Sequence, residues 1–256
     1  MSTSPISDPF NTYNYYYDLL YHDKNYEKEA EYITNLIKKI NPKATHLVDL
    51  GSGTGNYSKA LCKNGFKITG IERNEQMVAA ANAKSIDGFN SVIGDITKFE
   101  IRQKFDAAIS LFHVINYLTE NEKILSCFTQ ISKHLKPDGI FVFDVWYSPA
   151  VYSQLPQTRI KHVNNDHIDV TRLAQPIMDY EKNIIEVHYE MTIKNKFDGQ
   201  EKILKEVHHL RHFSTPEIKL LAEISGFKLI RSEEFLTAKA PGADTWGVCY
   251  ILQKHD

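Results

Sequence analysis

His46-Leu-Val-Asp-Leu50, running directly into Gly51-Ser-Gly-Thr-Gly55, is the stretch whose reading decides the fold. An apolar strand meets three glycines at alternate positions, and a helical stretch around Tyr57 to Asn64 then stops at Gly65, a left-handed cap. The order is strand, glycine turn, helix. A turn without Cβ atoms lets the backbone come close to a ligand at the carboxyl edge of a strand, where open α/β sheets bind their ligands. Only 12 glycines occur in 256 residues, below the usual share of about 7%, so their concentration in this turn is a local signal.

The unit recurs downstream. Lys67 to Glu72 reads as a strand, Asn74 to Lys84 as a helix, and Ser91 to Gly94 and Phe105 to Phe112 as further strands. Thr119 opens a helix with Glu122 as a capping box and an apolar face of Ile124, Phe128, Ile131 and Leu135, stopped by Pro137-Asp138-Gly139. Gly139 to Asp144 is a continuous apolar strand. Upstream, Tyr26, Ala30, Ile33, Ile37 and Ile40 recur at helical spacing between Asp23 and Asn41-Pro42. Strands alternating with helices imply βαβ crossovers and a mostly parallel sheet covered on both faces, an α/β, Rossmann-like fold.

After Pro149 the rhythm changes. From His167 to Leu210 the pattern alternates, with Val187, Tyr189, Met191 and Ile193 on one side and Asp198-Gly199 as a hairpin turn. This reads as an antiparallel β insertion whose apolar face must be covered, by a pocket wall or by a second copy in a homodimer. Ser214-Thr-Pro-Glu217 starts a last helix, with Pro216 at its first position and Gly226 at its cap, and strands near Phe227–Glu233 and Trp246–Leu252 finish the chain. The expected partition of a single 1–256 domain is 10–42 for an N-terminal lid and helix, 43–149 for the ligand-binding core, 150–212 for the insertion and 213–256 for the last helix and strands.

Thirty basic and 32 acidic residues give a net charge of −2 with no long block of one sign, which disfavours a nucleic-acid partner. Cys62, Cys127 and Cys249 form neither a disulfide framework nor a Cys-x-x-Cys pair and read as buried thiols of a reducing compartment. No apolar stretch approaches 18 residues, so the expectation is a soluble, cytoplasmic protein without a membrane partner. His208, His209 and His212 lack a His-Glu-x-x-His pattern, and no metal is expected.

A dinucleotide site would need Gly-x-Gly-x-x-Gly/Ala, and the sixth position is Asn56. Val48-Asp-Leu-Gly-Ser-Gly-Thr-Gly55 instead resembles motif I of class I S-adenosylmethionine (SAM) methyltransferases. Glu72 ends the second strand, placed for both ribose hydroxyls; Asp95 in Gly94-Asp-Ile96 suits an adenine amine, with Ile96 against the ring. Phe105 to Phe112 and Leu135 to Phe143 resemble the fourth and fifth strand motifs. The implied fold is a seven-stranded, mostly parallel class I sheet with an antiparallel β insertion and an N-terminal helical lid, and the implied cofactor is SAM.

Seven of the 14 tyrosines lie in the first 32 residues, and Tyr17-Asp-Leu-Leu-Tyr21 followed by Tyr26 and Glu29-Ala30 is similar to the lid of bacterial amino-sugar N-methyltransferases of the desosamine and mycaminose type. The similarity runs on through Leu111 to Leu118, Trp146 to Pro149 and Glu186 to Tyr189. It implies cofactor contacts for Tyr17, Tyr26, Asp49, Gly51, Gly53, Glu72, Asp95, Ile96 and Leu111. It implies an acceptor lined by Tyr13, Tyr21, Trp146, Tyr147, Tyr189, His208 and Arg211, with Tyr117 facing it as the first choice of catalytic group and His113 as the second. The chain departs from the family where arginines hold the nucleotide sugar: Ile184 and Trp246 stand there. N-methylation of a small amino sugar is the leading expectation. An O-methyltransferase of a glycan or capsule precursor, a non-catalytic SAM-binding protein and an NAD-dependent oxidoreductase remain as alternatives.

Overall fold

The computed structural model describes residues 14–255, and its contacts divide them into two compact units. The smaller holds the described residues up to Lys24 with Leu155–Arg211; the larger holds Asn25–Gln154 with the chain from His212 onward. The units therefore cut across the sequence partition, because the first helix groups with the insertion.

In the smaller unit, α1 (Asn14–Leu20) lies against a four-stranded antiparallel sheet. Its strands, β6 (Arg159–Asn164), β7 (Ile168–Asp179), β8 (Ile184–Asn195) and β9 (Glu201–Arg211), follow in chain order. Tyr16 and Leu20 pack on Val163, Val170, Met191 and Ile193, so the alternation seen in the sequence has an apolar side and a helix to cover it. The opposite side exposes Ile160, Ile177 and Ile203. Two features exceed the sequence reading. The strand β6 buries only Val163 and so lacks a legible pattern. The β7–β8 turn is built by Asp179, whose Oδ1 accepts from the backbone N–H groups of Glu181 and Lys182, and by Asn183 at φ +56°.

The larger unit is built on a seven-stranded sheet in the order β10-β11-β5-β4-β1-β2-β3. Here β1 is His46–Leu50, β2 Lys67–Glu72, β3 Phe89–Ile93, β4 Phe105–Ser110, β5 Leu135–Trp146, β10 Phe227–Glu234 and β11 Gly247–Lys254. The first five strands pair in parallel, and β11 is antiparallel to both β5 and β10. The strand order reverses at β1, which puts the β1 and β4 ends at the switch point. Both faces are apolar, which is why the central strands read as continuous runs. Leu47, Ile109 and Val142 face Ile33 and Ile37 of α2 (Tyr26–Ile40) and Leu61 of α3 (Asn56–Lys63). Val48, Phe141 and Phe143 face Ile124 and Phe128 of α5 (Asn121–His134) and Ile218 of α7 (Thr215–Ile224). The remaining helices are α4 (Glu75–Ala83), capped by Asn74 Oδ1 on the Met77 N–H at 3.0 Å, and α6 (Ser148–Ser153).

Three local expectations are corrected. The helix α5 starts at Asn121 with Glu120, one residue beyond Thr119, as its cap, and a bond runs from the Ile124 N–H to Glu120 O. Pro137-Asp138-Gly139 bulges within β5 instead of preceding it, with Asp138 at φ +56° and the pairing with β4 jumping from Phe105↔Leu135 to Ala107↔Ile140. Pro216 occupies the second position of α7, after Ser214 as cap. Cys127 and Cys249 are buried as expected, whereas Cys62 is half-buried. No helix among the described residues is long and apolar enough to cross a membrane.

At the foot of the sheet, Asp106 Oδ2 accepts the backbone N–H groups of Thr45 and His46, each at 2.9 Å, while Lys136 Nζ lies 2.6 Å from Oδ1. Burial raises the Asp106 pKa, but Lys136 and the two backbone donors outweigh it and leave the carboxyl at about 2. A depressed folded pKa gives stability that is present above the unfolded value near 4 and lost as pH falls toward 2. Asp106→Asn should therefore lower Tm at pH 7 and leave it nearly unchanged at pH 2, as calorimetry at the two pH values would show.

Candidate active site

The β1–α3 turn places Gly51, Gly53 and Gly55 at φ +74°, +53° and +79°, a backbone that side chains resist. The three glycines are not equivalent. A Cβ on Gly51 would stand 2.6 Å from Val114 Cγ1, and one on Gly55 would stand 2.7 Å from Phe89 Cε1. On Gly53 it would meet nothing nearer than Met77 Sδ at 3.8 Å. Neighbouring side chains close over the Cβ positions of Gly51 and Gly55, whereas Gly53 faces open space above the strand end.

Glu72, the last residue of β2, closes this turn. Its Oε2 accepts the Gly53 N–H at 3.0 Å and its Oε1 the Asn74 N–H at 2.9 Å. Each carboxylate oxygen keeps a second acceptor direction, enough for one ligand hydroxyl apiece. Asp49 is buried beneath the turn, where its Oδ2 accepts from Ser58 Oγ at 2.7 Å and ties α3 to β1. Burial pushes its pKa up to about 7; the Ser58 hydrogen bond opposes the shift and the nearby Glu72 charge adds to it. Asp95, beyond β3, holds the Thr97 N–H and hydroxyl on Oδ1 at 2.8 and 2.7 Å. Burial raises its pKa, but those two bonds prevail and keep it below the usual carboxylate value. Ile96 packs partly buried beside the core, and Leu111 is buried just after β4. Tyr26 opens α2 with its ring edge-on to Tyr57 of α3, 5.0 Å between centroids, so it stands next to the helix that the glycine turn leads into.

The β4–α5 connection carries the other half of the site. Val114–Tyr117 form one 3₁₀ turn, preceded by Phe112 and His113 at φ +67° and +63°. His113 Nδ1 lies 2.6 Å from Asp144 Oδ2 near the end of β5, and its ring centroid is 5.9 Å from that of Trp146. Trp146 meets Trp246 edge to face at 6.2 Å, and Trp246 Nε1 donates to Gln154 Oε1 at 2.8 Å. Tyr117 is half-buried on the same turn. Tyr147 instead packs partly buried against the core and bridges to Phe213.

The remaining sequence-predicted residues belong to the smaller unit, except Tyr13, which lies outside the described residues. Tyr17 and Tyr21 pack ring to ring at 4.9 Å. The Arg172 guanidinium sits 5.8 Å from the Tyr21 ring and 5.1 Å from the Tyr189 ring and donates to Tyr21 Oη at 3.1 Å. Burial pushes the Tyr189 pKa up to about 12. His208 is buried edge-on to Tyr189, with Nε2 3.2 Å from Glu206 Oε2. Arg211 ends β9 opposite Ile184. Sequence reasoning missed Arg172, Glu206 and Asp144, each an ordinary strand residue until the pairing is known. His212 is buried against Ser148 Oγ at 2.8 Å.

Residues 47–139 match the family described as "Methyltransferase domain". The dTDP-3-amino-3,4,6-trideoxy-alpha-D-glucopyranose N,N-dimethyltransferase of Streptomyces venezuelae is 28% identical over 182 residues, 70% of this chain and 76% of that enzyme. Among solved structures, the sugar N-methyltransferase KedS8 from Streptoalloteichus superposes with a TM-score of 0.82 at 20% identity, over 100% of this chain and 98% of the other. SAM-bound CalS10, an amino pentose methyltransferase from Micromonospora echinaspora, gives 0.76 at 20%, over 96% and 97%.

A seven-stranded sheet with this strand order, a left-handed glycine turn and an acid closing β2 define the class I methyltransferase fold. The chain carries a methyltransferase domain on a class I fold and is similar to amino-sugar N-methyltransferases; it is a SAM-dependent methyltransferase, with SAM as its methyl donor. The residues present can take such a group: the turn leaves open space over Gly53, and the Glu72 carboxylate keeps acceptor directions that suit hydroxyls.

Two outcomes test this site. Gly53→Ala should weaken S-adenosylhomocysteine (SAH) binding at least tenfold with a small loss of Tm, whereas Gly51→Ala and Gly55→Ala should lower Tm strongly, as calorimetry and thermal melts would show. The second concerns pH. Asp49 releases its proton near pH 4 unfolded and near 7 folded, so apo stability falls as pH rises through that window, by roughly 4 kcal/mol in all. Asp49→Asn should flatten that slope in urea melts run from pH 4 to 8.

Proposed function

We propose that the chain transfers methyl groups from SAM to the amine of a small amino sugar, free or nucleotide-linked. One observation carries the reading. The connection bearing His113 and Tyr117 packs on the glycine turn, where Val114 fills the space a Gly51 Cβ would need. That packing supports an acceptor held by this connection beside a methyl donor over the glycine turn. The dimethyltransferase relative supports an amino-sugar acceptor.

Bound SAM supplies an electrophilic methyl: the amine lone pair forms the N–C bond as the C–S pair returns to sulfur. The chain's own work is alignment and removal of a proton. In this proposal Tyr26, Asp49, Gly51, Gly53, Glu72, Asp95, Ile96 and Leu111 hold the donor, and Tyr117, His113 and Trp146 meet the acceptor. The smaller unit, described by itself, gathers Tyr17, Tyr21, Tyr189, His208 and Arg211 with Arg172, a set of stacking faces and donors of the kind a sugar takes. The exposed Ile160, Ile177 and Ile203 motivate a homodimer through that sheet; light scattering that finds a monomer at high micromolar concentration would remove it.

The direct test offers SAM with nucleotide-linked and free amino sugars, follows SAH release and weighs the products. One or two added methyls on an amino sugar are expected. Methylation of a hydroxyl, or of no amino sugar in the panel, would overturn the proposal. In the same assay Tyr117→Phe should raise the acceptor KM and lower kcat by less than about tenfold, with the SAM KM unchanged.

A further inference from the structure

The geometry points to His113 as the group that takes the amine's proton, with Asp144 as the residue that positions it. This inference rests on the functional reading above and deepens it. Asp144 holds His113 twice. Its Oδ2 stands 2.6 Å from the ring Nδ1, and its Oδ1 accepts the His113 backbone N–H at 3.4 Å. Oδ2 lies off the line of a ring N–H, so the contact is short without being a linear hydrogen bond.

The cost of this arrangement is visible in the backbone. Phe112 and His113 are consecutive non-glycine residues in the left-handed region, a conformation that persists only when its surroundings impose it. Two restraints do so: the Asp144 contacts, and the Asn116 N–H bonded to His113 O at 3.1 Å. Asp144 is buried, with its side chain 3% exposed, while the His113 side chain is 27% exposed. One end of the pair is thus sealed in protein and the other is open to a ligand. A carboxylate facing Nδ1 favours the tautomer with its proton there and leaves a lone pair on Nε2. Nε2 points away from Asp144, and the ring sits beside Trp146, whose face suits the apolar side of a sugar ring.

The proton balance is simple. The N–H bond of the acceptor breaks, its electron pair stays on nitrogen, and the proton forms a bond to the Nε2 lone pair. The resulting imidazolium faces the Asp144 carboxylate, so the charge that appears during the reaction is met by one already in place. Tyr117 then orients the acceptor. His113 ranks above it because a buried carboxylate fixes its ring.

The test uses the full chain, SAM and whichever amino sugar the wild type methylates best. His113→Asn should lower kcat about 10²- to 10³-fold, and Asp144→Asn about tenfold or more, each leaving the SAM KM within twofold. Their effects should not add, since both act through one ring. Added imidazole should restore part of the rate to His113→Ala and none to Asp144→Asn. Nitrogen NMR of labelled histidine reads the ring without any acceptor: the neutral His113 ring should carry its proton on Nδ1 in the wild type and lose that preference in Asp144→Asn. An active wild type with His113→Asn at full kcat, or a wild-type ring protonated on Nε2, overturns the dyad and leaves the functional reading standing. A wild type that methylates no amine overturns that reading and the dyad with it.

Discussion

One carboxylate at the carboxyl edge of the large sheet joins the glycine turn after β1 to the start of α4. Glu72 accepts two backbone N–H groups, one from the glycine turn after β1 and one from the start of α4. These two bonds add to those that the Gly51 and Ser52 N–H groups make to Ile71 O, and so tie the turn to the side chain that ends β2 as well as to its backbone. Without the carboxylate, two amides near a ligand would be left to water, and the left-handed turn would lose the contact that fixes its height above the strand. The same oxygens retain the capacity to accept ribose hydroxyls, so in the proposed site one side chain both holds the turn and receives the cofactor.

Around that clamp the site is layered by burial. Asp49 lies beneath, committed to Ser58 and costly to ionise. Gly53 lies above, open because it has no side chain. The β4–α5 connection flanks the turn, pressed into the space left by Gly51. The glycine turn and the connection bearing His113 and Tyr117 are thereby packed together, a contact that a single Cβ would break.

Much of this was legible in the sequence, for physical reasons. The glycine turn announces itself because left-handed backbone demands glycine, and Glu72 and Asp95 because strand ends place acids predictably. The sheet was legible from continuous apolar runs. Failures came where pairing rather than local pattern decides. An edge strand such as β6, with one buried residue, has no periodicity to read. The His113–Asp144 contact joins residues 31 apart, and the β4–β5 register alone brings them together. Arg172 looked like any strand residue until β7 and β8 aligned it with Tyr189. Thr119 and Glu122 had the letters of a capping box, but the chain leaving the 3₁₀ turn enters α5 later. Packing of α1 with the insertion could not be seen at all, since the two are separated by the whole parallel half of the sheet.

The central claim is that the acid closing β2 both shapes the turn and receives the cofactor. Isothermal calorimetry of SAH against wild type and Glu72→Gln tests it most directly, because glutamine keeps the size while turning one acceptor into a donor that must face a backbone N–H. The account predicts micromolar binding to the wild type, a loss of at least tenfold in Glu72→Gln, and no binding of NADH to either. Equal SAH affinity in the two proteins, or NADH binding in place of SAH, would contradict it.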